Sequence, residues 1–130
     1  MGLGRVREAA RGVVLLVEDD VNLRDITRDA LQEAGYTVRV VNTLDDAVPE
    51  LANNTVDVIV VDVGKPGMRT GPFMAALRSL RAHENTPVVA WSASPTLAEY
   101  AREFGDTGLL HTPATLSGLI TVLGRHVARG

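Results

Sequence analysis

Two acidic clusters in this sequence each follow an apolar run. Glu18, Asp19 and Asp20 come directly after Val13–Val17, and Asp62 closes a run in which five of the six residues 56–61 are valine or isoleucine. Asp57 alone interrupts that second run. Continuous β-branched runs of this length read as strands buried on both faces of a parallel sheet. A carboxylate at the C-terminal end of such a strand, followed by a loop carrying Gly64, Pro66 and Gly67, stands where open α/β sheets carry their chemistry. If the two strands lie side by side, Glu18, Asp19 and Asp62 converge. Carboxylates that close together repel unless a cation sits among them. Oxygen donors without Cys or His suit a hard ion, and a small octahedral ion that keeps several waters suits a shallow, open sheet edge, so a Mg²⁺ site is expected there. Asp20 is read as a helix cap and not as a ligand.

The rest of the chain must supply the elements that bring these clusters together. Residues 1–12 are basic, with Arg5, Arg7 and Arg11 against Glu8, and read as a flexible leader to a domain spanning 13–128. Strands are expected at residues 13–17, 36–41, 56–62, 87–91 and 108–111. The first helix carries Leu23, Ile26, Ala30, Leu31 and Ala34 at helical spacing and ends at Gly35. Thr43 caps a second, bearing Leu44, Ala47, Val48 and Leu51, which Pro49 should bend or shorten. Gly71-Pro72 opens a third, with Pro in the first helical position and Phe73, Ala76, Leu77 and Leu80 inward. Ser94-Pro95 opens a fourth that Gly105 closes. Ala114 or Thr115 begins a fifth, with Leu116, Leu119, Ile120, Leu123 and Val127 on one face. Strict alternation of five strands with five helices predicts a doubly wound α/β fold with a five-stranded parallel sheet, order 2-1-3-4-5, whose crevice lies between strands 1 and 3.

Composition narrows the class of function. A chain of 130 residues, 45% hydrophobic and 22% charged, is one domain with room for a core. No apolar run reaches the roughly 20 residues of a membrane span, and nothing at the start resembles a secretory signal. The absence of cysteine excludes disulfides and thiolate metal sites and fits a cytoplasmic protein. A net charge of −3 argues against direct nucleic-acid binding, which draws on clustered positive charge. Among histidines, His83 and His126 read as surface residues and His111 as ordinary packing; Trp91 reads as core or rim.

The motifs VLLVEDD at 14–20, the strand ending in Asp62 with Pro66 four residues on, and PVVAWSA at 87–93 together resemble the receiver domain of bacterial two-component response regulators. The resemblance covers about residues 13–128 and implies the flavodoxin-like receiver fold. It also implies that Asp62 is the phosphoacceptor, that Glu18 and Asp19 hold Mg²⁺ directly or through water, and that the backbone carbonyl of Gly64 is a further ligand. Ser92 would supply the hydroxyl that moves to bond the phosphoryl group. Such a protein is not a conventional enzyme; it is a phosphoacceptor that assists its own phosphorylation and dephosphorylation. Mg²⁺ suits that chemistry because it offsets the repulsion between an anionic nucleophile and an anionic donor.

The sequence also departs from the family pattern. Thr112 precedes Pro113 where the family has a Lys that pairs with the acceptor Asp, and Leu109 stands at the aromatic switch position. Lys65, the only lysine in the chain, lies three residues past Asp62, where the family usually has an apolar residue. It is either a relocated cation reaching over the pocket or a solvated loop lysine; Arg69 is read as solvated. The resemblance further implies a cis peptide before Pro113. Gly64 and Ser94, at positions that tune phosphoryl loss in the family, are small and uncharged, so easy access of water is expected.

Two functions follow. The first is a single-domain response regulator of a phosphorelay. A sensor histidine kinase or phosphotransfer protein phosphorylates Asp62, and the face built from residues 95–105, 108–111 and 115–127 meets a downstream protein. The domain would act as a monomer or weak homodimer, without membrane contact. The second is a pseudo-receiver, a binding module that keeps the fold without switching by phosphorylation. A nucleotide-binding enzyme of similar fold is set aside, because no Gly-rich phosphate loop follows any strand.

Overall fold

The computed structural model describes residues 11–62, 70–91 and 115–126. Within them the order is β1 (Val13–Val17), α1 (Val21–Glu33), β2 (Thr37–Val41), α2 (Leu44–Asn53), β3 (Val58–Asp62), α3 (Thr70–Ser79), a 3-10 turn (Arg81–His83), β4 (Val88–Trp91) and α4 (Leu116–His126). The four strands form one parallel sheet in the order β2-β1-β3-β4. The doubly wound order expected from the sequence is therefore present as far as the described residues extend. The expected helix at 94–105 and strand at 108–111 lie outside them, as do residues 1–10.

Burial follows position in the sheet. All five residues of β3 are buried, as its unbroken valine and isoleucine run requires of a strand covered on both faces. On the edge strand β2, by contrast, Thr37 and Arg39 are exposed between half-buried valines. One face of the sheet presents Leu15, Val17, Ile59, Val61, Val88 and Ala90 to α2 and α3. The other presents Val14, Leu16, Val58, Val60, Val89 and Trp91 to α1 and α4. The interruption at Asp57 has a use. Its Oδ2 accepts from the Val13 N–H at 2.7 Å while its own N–H donates to the Val13 carbonyl at 2.8 Å, which fastens the start of β1 to the approach of β3.

The helix ends obey their local chemistry. Asp20 Oδ1 accepts from the Leu23 N–H at 3.0 Å and caps α1; Thr43 Oγ1 does the same for α2 through Asp46. At the other end of α1 the N–H groups of Gly35 and Tyr36 return to the carbonyls of Gln32 and Leu31. Gly35 has φ 106°, the left-handed turn that this closure needs and glycine allows. Thr115 caps α4, its hydroxyl accepting from Gly118.

Four expectations are corrected. Helix α2 runs through Pro49 to Asn53, because packing of Leu44, Ala47 and Leu51 outweighs the one backbone donor that Pro lacks. Helix α3 begins at Thr70, so Pro72 is its third residue. It still falls in the first turn, where an N–H has no helical partner anyway. Ile26 is 55% exposed, and the buried positions of α1 are Thr27 and Leu31. The inward stripe runs through Leu23, Thr27, Leu31 and Ala34 instead, a spacing of four, four and three that leaves Ile26 one position off the face.

The fourth correction is His83, expected at the surface and fully buried. Its Nδ1 lies 2.9 Å from Thr86 Oγ1 and its Nε2 3.2 Å from the Asn54 carbonyl. A carbonyl only accepts, so Nε2 carries a proton and donates to it. Arg78 closes the same corner, its Nη1 donating to the carbonyls of His83 and Thr86 at 3.0 and 2.8 Å. Desolvation holds the Arg78 guanidinium below its usual pKa. With both ring nitrogens engaged, the imidazole can be enclosed without an unpaired polar atom.

Candidate functional site

Strand register puts the predicted carboxylates together. Val17 pairs with Val61, so Glu18 and Asp62, each the next residue along, leave the sheet side by side at its C-terminal edge. Asp62 in turn pairs with Trp91. Glu18 and Asp62 keep the alternation of Leu16 and Val60, which belong to the α1/α4 face, so both project toward that side. Both are buried, Glu18 to 1% exposure and Asp62 to 6%.

Local hydrogen bonds fix the first of them. The Glu18 N–H donates to the Val41 carbonyl at 3.0 Å, extending the β1–β2 ladder one residue past the strand. Its side chain folds back, Oε2 accepting from the Asp20 N–H at 3.1 Å. Asp19, between them, is exposed, and Asp20 is committed to the helix cap. Of the acidic triplet, Glu18 is therefore buried, Asp19 is exposed, and Asp20 holds the helix, as expected for Asp20.

Burying two carboxylates on adjacent strands is costly unless positive charge compensates. The donor set is all oxygen, as a hard divalent ion requires. Among the described residues, however, no group of three or more acidic or histidine side chains is drawn close enough to hold a metal alone. A metal here would rely on Glu18 and Asp62 with oxygens from outside that set, which suits an ion that keeps waters. Of the other residues singled out in the sequence, Gly64, Lys65, Arg69, Ser92, Ser94, Leu109, His111, Thr112 and Pro113 lie outside the described residues. Trp91 is buried, as a core residue is expected to be; what sequence reasoning missed is its register pairing with Asp62, although that pairing was implicit in the strand order.

With the sheet order and paired carboxylates in place, comparison with known proteins decides the family. The model of the response regulator receiver domain matches residues 14–123. The chain belongs to that family. Among curated relatives, the receiver is 29% identical over 119 residues to the DNA-binding transcriptional regulator NtrC of Bradyrhizobium sp. (strain RP501 Parasponia), covering 90% of this chain and 24% of that protein. It therefore spans about a quarter of the length of such relatives. Among solved structures, the chemotaxis response regulator CheY4 of Vibrio cholerae superposes with a TM-score of 0.69 at 30% identity, over 87% of this chain and 96% of that one. The receiver domain of the sensor histidine kinase PA1611 from Pseudomonas aeruginosa PAO1 gives 0.77 at 22% identity, over 92% and 99%. That structure has a magnesium ion coordinated in its active-site cleft. Among the described residues of the present receiver, no helix is long and apolar enough to cross a membrane.

Proposed function

We propose that this receiver accepts a phosphoryl group on Asp62, assisted by Mg²⁺, from a sensor histidine kinase or phosphotransfer protein, and signals by protein contact. The observation that carries this reading is the pair of buried carboxylates, Glu18 and Asp62, adjacent at the open end of the sheet. In the transfer, an Oδ of Asp62 forms a bond to phosphorus as the bond from phosphorus to the donor imidazole nitrogen breaks. The Asp62 nucleophile needs no proton removed, since it reacts as the carboxylate. Glu18 and Asp62, with Asp19 acting through water and with the Gly64 carbonyl, would hold Mg²⁺, which supplies charge neutralisation when bound. That the same fold carries magnesium in the PA1611 receiver supports this assignment. Ser92 would then bond the phosphoryl oxygens.

The second reading, a pseudo-receiver that binds partners without phosphorylation, is favoured by Thr112 and Leu109, where the family has Lys and an aromatic ring. Intact-mass measurement after incubation with acetyl phosphate separates the two. A gain of one phosphoryl group that requires Mg²⁺ and disappears in Asp62→Asn is expected. No gain in the folded protein would leave the binding module.

A further inference from the structure

Trp91 is 4% exposed, yet among the described residues its indole Nε1 has no hydrogen-bond partner. Buried donors are almost always paired, and an orphan at a functional edge calls for a reason. Packing explains the ring, which belongs to the core beneath α1 and α4 with Leu16, Val60 and Leu119. It does not explain the N–H, since a phenylalanine would fill apolar space without burying a donor.

The position of Trp91 supplies the reason. It is the register partner of Asp62 on the neighbouring strand, and parallel partners about 4.8 Å apart project from the same side of a sheet. The row across the top of this face therefore runs Glu18, Asp62, Trp91: two carboxylates, then an unused donor. Conversion of Asp62 to its phosphoryl form adds strongly accepting anionic oxygens at the middle of that row. A neutral N–H can bond them without requiring a counter-charge, and bonds to charged acceptors are the strong ones.

Resting on the reading of Asp62 as phosphoacceptor, we propose that the Trp91 indole N–H is the donor held in reserve for the phosphoryl group, a binding residue that comes into play only in the modified state. In the unmodified protein that donor has no partner among the described residues.

Because Trp91 is the only tryptophan, its indole proton gives a single NMR signal. Beryllofluoride with Mg²⁺, a stable mimic of the phosphoryl group, is the probe. The indole proton is expected to move downfield and exchange more slowly with water as the backbone amide of Asp62 responds. Replacing tryptophan by benzothienylalanine, of the same shape without the N–H, is expected to weaken beryllofluoride binding about tenfold or more, the usual worth of a bond to a charged acceptor. Mg²⁺ binding alone should be unaffected. An indole signal that stays in place while the Asp62 amide titrates, or equal binding by the analogue, overturns the inference and leaves the phosphoacceptor reading standing. An Asp62 amide that does not respond at any beryllofluoride concentration, in the folded protein with Mg²⁺, overturns both.

Discussion

The carboxylate of Glu18 accepts a hydrogen bond from the backbone N–H of Asp20, Oε2 to N 3.1 Å. The residue that enters the cleft thus also shapes the turn that starts α1, where Asp20 caps the helix. Site and scaffold share one side chain, and a charge can be removed from the site without releasing the turn, provided an acceptor oxygen stays in place.

Glu18→Gln meets that condition. One of two buried negative charges on adjacent strands is lost while the amide oxygen can still accept from Asp20. Added Mg²⁺ should raise the parent's stability by about 2.7 kcal/mol at a hundred times its dissociation constant and the variant's far less. Calorimetric melts with and without Mg²⁺ check this. An equal Mg²⁺-induced rise in both proteins would remove Glu18 from the metal site.

The helix cap is tested separately. Asp20→Ala removes the acceptor for the Leu23 N–H and should cost about 1 kcal/mol, the usual worth of such a cap. Urea unfolding gives the number. Because Asp20 faces solvent and is spent on the helix, Mg²⁺ affinity in the folded variant should stay within about threefold of the parent, a change of well under 1.4 kcal/mol. A large loss of affinity would show that all three acidic residues serve the metal.

Much of this was legible in the sequence, for identifiable reasons. The valine and isoleucine run before Asp62 could only be a strand covered on both faces, and Gly35, Thr43 and Asp20 each announce a turn or cap by chemistry that acts within a few residues. The strand order then carried Glu18 and Asp62 to one edge. Long-range placement was less legible. Nothing local distinguishes His83 from an exposed histidine, because its burial depends on the Asn54 carbonyl, which belongs to another loop. Ile26 looked like a core residue because helical spacing admits two overlapping stripes; only packing against the sheet selects the one through Thr27 and Leu31.

That selection can be measured. Ile26→Ser alters a side chain on the water side of α1 and is expected to change stability by no more than about 0.5 kcal/mol. Leu31→Ala, at a fully buried position against Tyr36 and Leu123, should cost about 2–5 kcal/mol. Urea unfolding of the two variants under the same conditions decides it. A larger loss at Ile26 than at Leu31 would mean that α1 presents its other stripe to the sheet.

His83 makes the strongest separation between fold and site. Its imidazole joins the Asn54 carbonyl after α2 to the Thr86 hydroxyl before β4, while Asp62 and Trp91 pair at the far end of those strands. Asn54 is itself tied to the edge strand, its Oδ1 accepting from Arg39 at 3.2 Å and its Nδ2 donating to Glu50 Oε2 at 3.1 Å. His83→Phe keeps a ring in the space but leaves a carbonyl and a hydroxyl without their partner, a loss of about 2–4 kcal/mol. Combining it with Thr86→Val should cost less than the two single changes added together, because both remove the same hydrogen bond. Acetyl phosphate should still modify Asp62 in the folded His83→Phe protein to the parent's extent. Loss of phosphorylation without loss of stability would instead make His83 part of the phosphoryl-transfer machinery, at odds with its place at the opposite edge of the sheet.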